Sequence, residues 1–161
     1  MFKPCIFVSV KTLTLIRHAH AEPGLNKSDI EKSLNQIGHQ EAEKQSNILP
    51  LQEQALLLIS AANRTMETAA YWLKKQPELR HLFVSKLYNA DLDTVLNCIE
   101  SHFDEEHLVV IAHNPGISEL YQFFTGQWEA FAPCTFAVLH HDAEAQSLEK
   151  GKATTLALQY P

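Results

Sequence analysis

The chain has 161 residues, 45% of them hydrophobic and 20% charged, the composition of a soluble globular domain with a sizeable core. A formal net charge of −6 argues against general nucleic-acid binding, which needs a basic face against the phosphates. No apolar run approaches the roughly 20 residues that span a bilayer, so no membrane partner is expected.

Three cysteines, Cys5, Cys98 and Cys134, lack paired spacing, which argues against a disulfide framework and fits a reducing cytoplasm. The apolar run 5–10 is not the core of a signal peptide, because Lys11 and Arg17 interrupt the required hydrophobic region. Residues 1–11 read as an extension or tail, and 12–161 as a single domain.

In chain order, residues 13–16 form a short strand that delivers Arg17 and His18 at its carboxyl end, the side on which open α/β sheets bind ligands. A loop through Pro23, Gly24, Asn26 and Ser28 follows. A helix over 37–47 is capped by Asn35 and ended by Pro50. Residues 55–59 are a buried-strand run with Ser60 at its exit. The next helix carries Met66, Ala70 and Leu73 on its packed face and stops before Pro77. A strand at 82–84 leads into a loop at 86–90. Leu92, Val95, Leu96, Ile99 and Phe103 then make one helical stripe.

Residues 108–112 form another buried strand ending at His113. Asn114 and Pro115 read as the cap and first-turn residue of a helix bearing Ile117, Leu120, Tyr121 and Phe124. Residues 134–139 and 154–158 are expected to pair antiparallel at one side. The alternation predicts a three-layer α/β/α domain with a mostly parallel central sheet and an antiparallel C-terminal strand pair.

Arg17 with His18, Ser60 through Arg64, and His113 with Asn114 all fall at strand-to-helix junctions, which share one edge of a parallel sheet. Two guanidiniums and two imidazoles suit a phosphoryl group, since charge-assisted hydrogen bonds are worth about 1.5–3 kcal/mol each. Arg17 and Arg64 are expected to lower the pKa of His18 and keep it neutral, able to attack phosphorus. His113, when protonated, can donate to the oxygens as charge builds. Helix amino termini near Asn63 and Asn114 would add backbone donors. Ser60 and Asn114 are candidate phosphate contacts through their side chains, and no cofactor is needed.

Two other readings use the same residues. His18-x-His20, with His113 or the His140-His141-Asp142 cluster, has a metal-ligand spacing and suggests a metal-dependent phosphohydrolase, though arginines at 17 and 64 would oppose a cation. A catalytically idle phospho-ligand binding module is the other. A cysteine phosphatase is disfavoured, since the positions six residues after the cysteines are Lys11, Asp104 and His140 rather than arginine. His39, His81, His102 and His107 are expected on helices or loops, and His140 and His141 at an exposed strand end. Trp72 and Trp128 read as packing or partner surface, Tyr88 as groove lining or core cover, and Glu22 and Asp91 as solvated loop residues or alternative acids.

The chain resembles the histidine phosphatase superfamily, also called phosphoglycerate-mutase-like. Leu-Ile-Arg17-His18-Ala19 resembles its opening Arg-His-Gly signature, Ser60-Ala61-Ala62-Asn63-Arg64-Thr65 through Ala69 its Ser-Pro-x-x-Arg-Ala-x-x-Thr-Ala element, and His113-Asn114-Pro115-Gly116 its second histidine. The likeness runs from Leu13 through the final strand. It implies that His18 is transiently phosphorylated, that Arg17 and Arg64 hold the phosphate, and that His113 completes the pocket.

Small size, the His-Asn-Pro-Gly form and Leu87-Tyr88 look most like the SixA-type phosphohistidine phosphatases. The implied partner is a phosphohistidine-bearing protein or a small phosphorylated molecule. Ala19 and Ala61 replace the family's glycine and proline. The stretch Leu87-Tyr88-Asn89-Ala90-Asp91 has no carboxylate aligned to the general acid of larger relatives. Protonated phosphohistidine expels neutral imidazole and needs little help from an acid, so phosphohistidine or a related activated phosphoryl group is the expected substrate.

Overall fold

A computed structural model describes residues 12–141 and 149–161; the extension at 1–11 and Asp142 of the histidine cluster lie outside the described residues. The strands are β1 (Thr12–Arg17), β2 (Leu56–Ser60), β3 (Arg80–Val84), β4 (His107–Ala112), β5 (Phe136–His140) and β6 (Thr154–Gln159). The helices are α1 (Gln36–Ile48), α2 (Asn63–Lys75), α3 (Leu92–Glu100) and α4 (Gly116–Thr125).

All six strands join one sheet in the order β3-β2-β4-β1-β5-β6. The first four run parallel, while β5 is antiparallel to both β1 and β6. That is the mixed α/β sheet the alternation of elements predicts.

Strand side chains alternate between two cores, as period-2 geometry requires. Leu13, Leu15, Leu56, Leu58, Leu108 and Val110 pack against Val95 and Ile99 of α3 and Ile117, Leu120 and Phe124 of α4. Ile16, Leu57, Ile59, Val109 and Ile111 pack on the other face against Ala69 and Trp72 of α2. The strands β1, β2 and β4 are thus apolar on both faces, which is why they read as continuous runs.

Several expectations need correcting. Ala70 on α2 is exposed and Met66 and Leu73 only half-buried, while Thr65, Thr68, Ala69 and Trp72 face the core. The buried threonines are admitted because their hydroxyls donate to the carbonyls of Ser60 and Ala62, and of Arg64. Trp72 is core rather than partner surface, its indole N–H donating to the Leu49 carbonyl at 2.9 Å.

Strand β3 lies at the sheet edge and leaves Leu82 and Phe83 45% and 54% exposed. His107 is not a loop residue. It opens β4, is buried, and its Nε2 lies 2.9 Å from the Thr14 hydroxyl. His141 is likewise buried, edge-on to Phe124, whereas His140 is exposed. Trp128 is exposed.

Candidate active site

The carboxyl ends of β1, β2 and β4 converge on one edge, and the loops leaving them carry the polar residues. The backbone of the β1 exit is fixed on three sides. His18 N–H donates to Ala112, Cys134 N–H donates to the His18 carbonyl, and Ala19 N–H donates to the Thr68 hydroxyl of α2. Ala19 is fully buried against Leu34, Ala42 and Cys134. Helix α1 approaches the next residue so closely that a Cβ on Gly38 would stand 2.0 Å from the His20 carbonyl oxygen, so only glycine fits there.

His18 and His113 meet with ring centroids 5.1 Å apart. His18 Nδ1 lies 2.8 Å from the Ala19 carbonyl, which can only accept, so Nδ1 carries the ring proton. Nε2 keeps its lone pair and accepts from Arg64 Nε at 3.3 Å. His113 Nε2 lies 2.7 Å from the hydroxyl of the fully buried Ser60. With that hydroxyl donating, the proton of His113 sits on Nδ1. Arg17 Nε and His113 Nδ1 are buried without a hydrogen-bond partner among the described residues. Two donors of that kind suit an anion with several acceptor oxygens.

Burial comes first among the causes that push His18 down to about 4, and the guanidiniums of Arg64 and Arg17 add to it. The neutral state expected for His18 is therefore present, but desolvation leads it. His113 departs from expectation. Burial, then the neighbouring His18 and Arg64, lower it to about 3, so it is neutral near pH 7 and, with Ser60 donating to Nε2, carries its one ring proton on Nδ1.

Burial also lowers His107, to about 4. Each of these folded-state values lies below the unfolded 6.5 or so, so the unfolded chain takes up protons first as the medium acidifies. Stability is therefore complete above about pH 6.5 and lost as pH falls toward 4, with His107 alone costing on the order of 3 kcal/mol. Urea unfolding midpoints measured at pH 7 and pH 4.5 should drop steeply; equal midpoints would mean that these imidazoles titrate normally.

Arg17 donates from Nη1 to the Phe131 carbonyl at 2.6 Å. Arg64 is buried, its Nη1 donating to the Asp29 carbonyl at 2.6 Å and its Nη2 to Asp29 Oδ2 at 3.0 Å. The Asp29 carboxylate also accepts from the Tyr88 hydroxyl at 2.7 Å and pairs with Lys32 at 3.0 Å. Those donors hold its carboxyl well below the ordinary carboxylate range. The Tyr88 ring stands edge-on to His113, 5.6 Å between centroids, with the Arg64 guanidinium over it at 5.9 Å. Tyr88 therefore lines the site.

Asp29 is the residue that sequence reasoning missed. It stands in a short 3-10 turn, Asp29–Glu31, of the β1–α1 connection, among other acidic side chains, and no local spacing marks it. The two carboxylates considered from sequence are engaged elsewhere. Glu22 pairs with Lys27 and accepts from Ser33 N–H, while Asp91 caps α3 through Thr94 N–H.

Asn114 does not cap a helix. Helix α4 begins at Gly116 with Pro115 at the cap position, and the Asn114 amide instead donates to the Phe131 carbonyl and accepts from Ser118. Helix α2 does begin at Asn63, whose side-chain amide donates to the Glu31 carbonyl. His20 points to Glu41, Nδ1 to Oε1 at 2.7 Å, so the His18-x-His20 pair does not converge. Among the described residues no group of three or more His, Cys, Asp or Glu is placed to hold a metal ion.

No family model matches this chain, and no curated protein matches it. Solved structures do. One is a protein of Agrobacterium tumefaciens assigned as the phosphohistidine phosphatase SixA, 20% identical over 94% of this chain and 99% of that one, with a TM-score of 0.80. Another, assigned as SixA in Nakamurella multipartitia, is 23% identical over 94% and 96%, at 0.81. The fold is that of the histidine phosphatases. The same histidine-phosphatase fold appears in an Escherichia coli protein assigned as an alpha-ribazole-5'-P phosphatase, 15% identical over 94% and 98%, at 0.74. The fold thus accommodates proteins assigned to different phosphorylated substrates, and the choice among them rests on side chains.

Proposed function

We propose that this chain is a phosphatase that removes the phosphoryl group of phosphohistidine on a protein, through a covalent intermediate on His18. The observation that carries the reading is the state of that ring: neutral, proton fixed on Nδ1 by Ala19, Nε2 lone pair facing the Arg64 guanidinium. The Nε2 pair forms a bond to phosphorus as the bond to the substrate nitrogen breaks, and that nitrogen keeps the electron pair. Arg17, Arg64 and the Nδ1–H of His113 meet the phosphoryl oxygens, with Ser60 holding the tautomer of His113. Water then attacks the phosphorus on His18, releasing phosphate and restoring the imidazole.

A protein-borne rather than a small phosphorylated substrate is supported by the exposed rim, where Asp29 stands open to solvent. Free thiols at Cys98 and Cys134 agree with action in a reducing cytoplasm. Among the described residues no helix is long and apolar enough to cross a membrane.

The test compares phosphate release from a phosphohistidine-bearing protein with release from phosphoserine and sugar phosphates, with chelator present. Preference for the phosphohistidine protein by about tenfold or more in kcat/KM, unaffected by chelator, is expected. Preference for a small ester, or activity lost in chelator and restored by a divalent cation, contradicts the reading.

A further inference from the structure

Among the described residues Asp29 is the one carboxylate in contact with both Arg64 and Tyr88, and Tyr88 in turn packs edge-on against His113. A carboxylate offers about four lone-pair positions. Arg64 and Tyr88 take Oδ2 and Lys32 takes Oδ1, which leaves acceptor capacity on Oδ1. The side chain of Asp29 is 46% exposed while that of Arg64 is 7% exposed, and His113 is buried. Arg64 and His113 thus form the floor of the site and Asp29 its rim. A phosphoryl group on the floor has its leaving group at the rim.

The carboxylate of Asp29 is one guanidinium away from the nucleophile, since the same Arg64 touches His18 Nε2 through Nε and Asp29 through Nη2. Its field reaches both imidazoles of the floor and opposes the lowering of each. Held ionised by three donors, it has no proton to give to a departing alkoxide. It can accept one.

Resting on the phosphatase reading above, we infer that Asp29 is the leaving-group residue, accepting the distal ring N–H of a substrate phosphohistidine and thereby selecting phosphoryl–nitrogen bonds over phosphate esters. In the transfer, the His18 Nε2 pair forms the new bond to phosphorus and the electrons of the broken bond return to the proximal nitrogen of the substrate ring. The proton stays on the distal nitrogen, hydrogen-bonded to Asp29, so the ring leaves as neutral imidazole rather than as an imidazolide anion. An ester leaving group offers no such N–H and gains nothing from the anion.

The experiment measures kcat/KM of wild type, Asp29→Asn and Asp29→Glu on phosphoimidazole and on p-nitrophenyl phosphate. The second probe expels a stable phenolate that needs no proton. Any loosening of Arg64 acts on the phosphoryl group of both probes and cancels in their ratio. The wild-type preference for phosphoimidazole should fall about tenfold in Asp29→Asn and return toward wild type in Asp29→Glu. An unchanged ratio in Asp29→Asn would make Asp29 a mere brace for Arg64 and overturn this inference, leaving the phosphohistidine reading intact. A wild type that cleaves only p-nitrophenyl phosphate overturns both.

Discussion

A His18→Ala protein is expected to fold and to lose phosphatase turnover by at least about 10³-fold, because among the described residues no other group on the site floor is placed to attack phosphorus. Ser60 spends its hydroxyl on His113, and His113 Nε2 lies against Ser60. The backbone of residue 18 keeps its bonds to Ala112 and Cys134 whatever the side chain, so the β1 exit stays in place. The lost ring contacts are those to the neighbouring Ala19 carbonyl and to Arg64, and stability should shift by no more than about 2 kcal/mol. Phosphate release and the urea midpoint, measured on the same preparation, check both halves. Undiminished release by the folded variant would sink the mechanism.

Arg64→Ala should reduce kcat/KM by about 10²–10³-fold, with a higher KM and a lower kcat together. Its guanidinium touches Nε2 of His18, anchors Asp29 twice and lies over Tyr88. Truncation thus removes the proposed phosphate ligand and unfastens the rim at once. Arg64→Lys should recover little, since an ammonium cannot span His18 and Asp29 with a planar fork. Inhibition by inorganic phosphate should weaken in parallel. Kinetics on a phosphohistidine protein with phosphate as inhibitor decide it: a change in kcat with KM and phosphate inhibition untouched would contradict a binding role for Arg64.

The parts of the fold visible in the sequence were those with a strong local cause. Buried strands announced themselves as apolar runs with a polar residue at each exit, and the junction rule for parallel sheets placed Arg17, His18, Ser60, Arg64, His113 and Asn114 on one edge. Asn35 capped α1 as its side chain required, accepting from Gly38 N–H.

What the sequence hid was set by tertiary contact. Helix α2 turned Thr65 and Thr68 inward because nearby carbonyls satisfied their hydroxyls, a choice that counting apolar residues reverses. Asn114 found Phe131 and Ser118 instead of a helix end. Asp29 gained its position from the course of a loop, and only Arg64 and Tyr88, 35 and 59 residues further on, give it meaning. Burial rather than neighbouring charge led the tuning of both imidazoles, and burial of a strand-exit residue is not written in its immediate neighbours.

The most direct test of the central claim is intact-protein mass analysis of wild type, quenched in alkali with chelator present, immediately after mixing with a phosphohistidine protein. A transient phosphoryl adduct, acid-labile, mapped to His18 and missing from His18→Ala, is the predicted result. Phosphate released by wild type with no adduct on His18 at any time would contradict it.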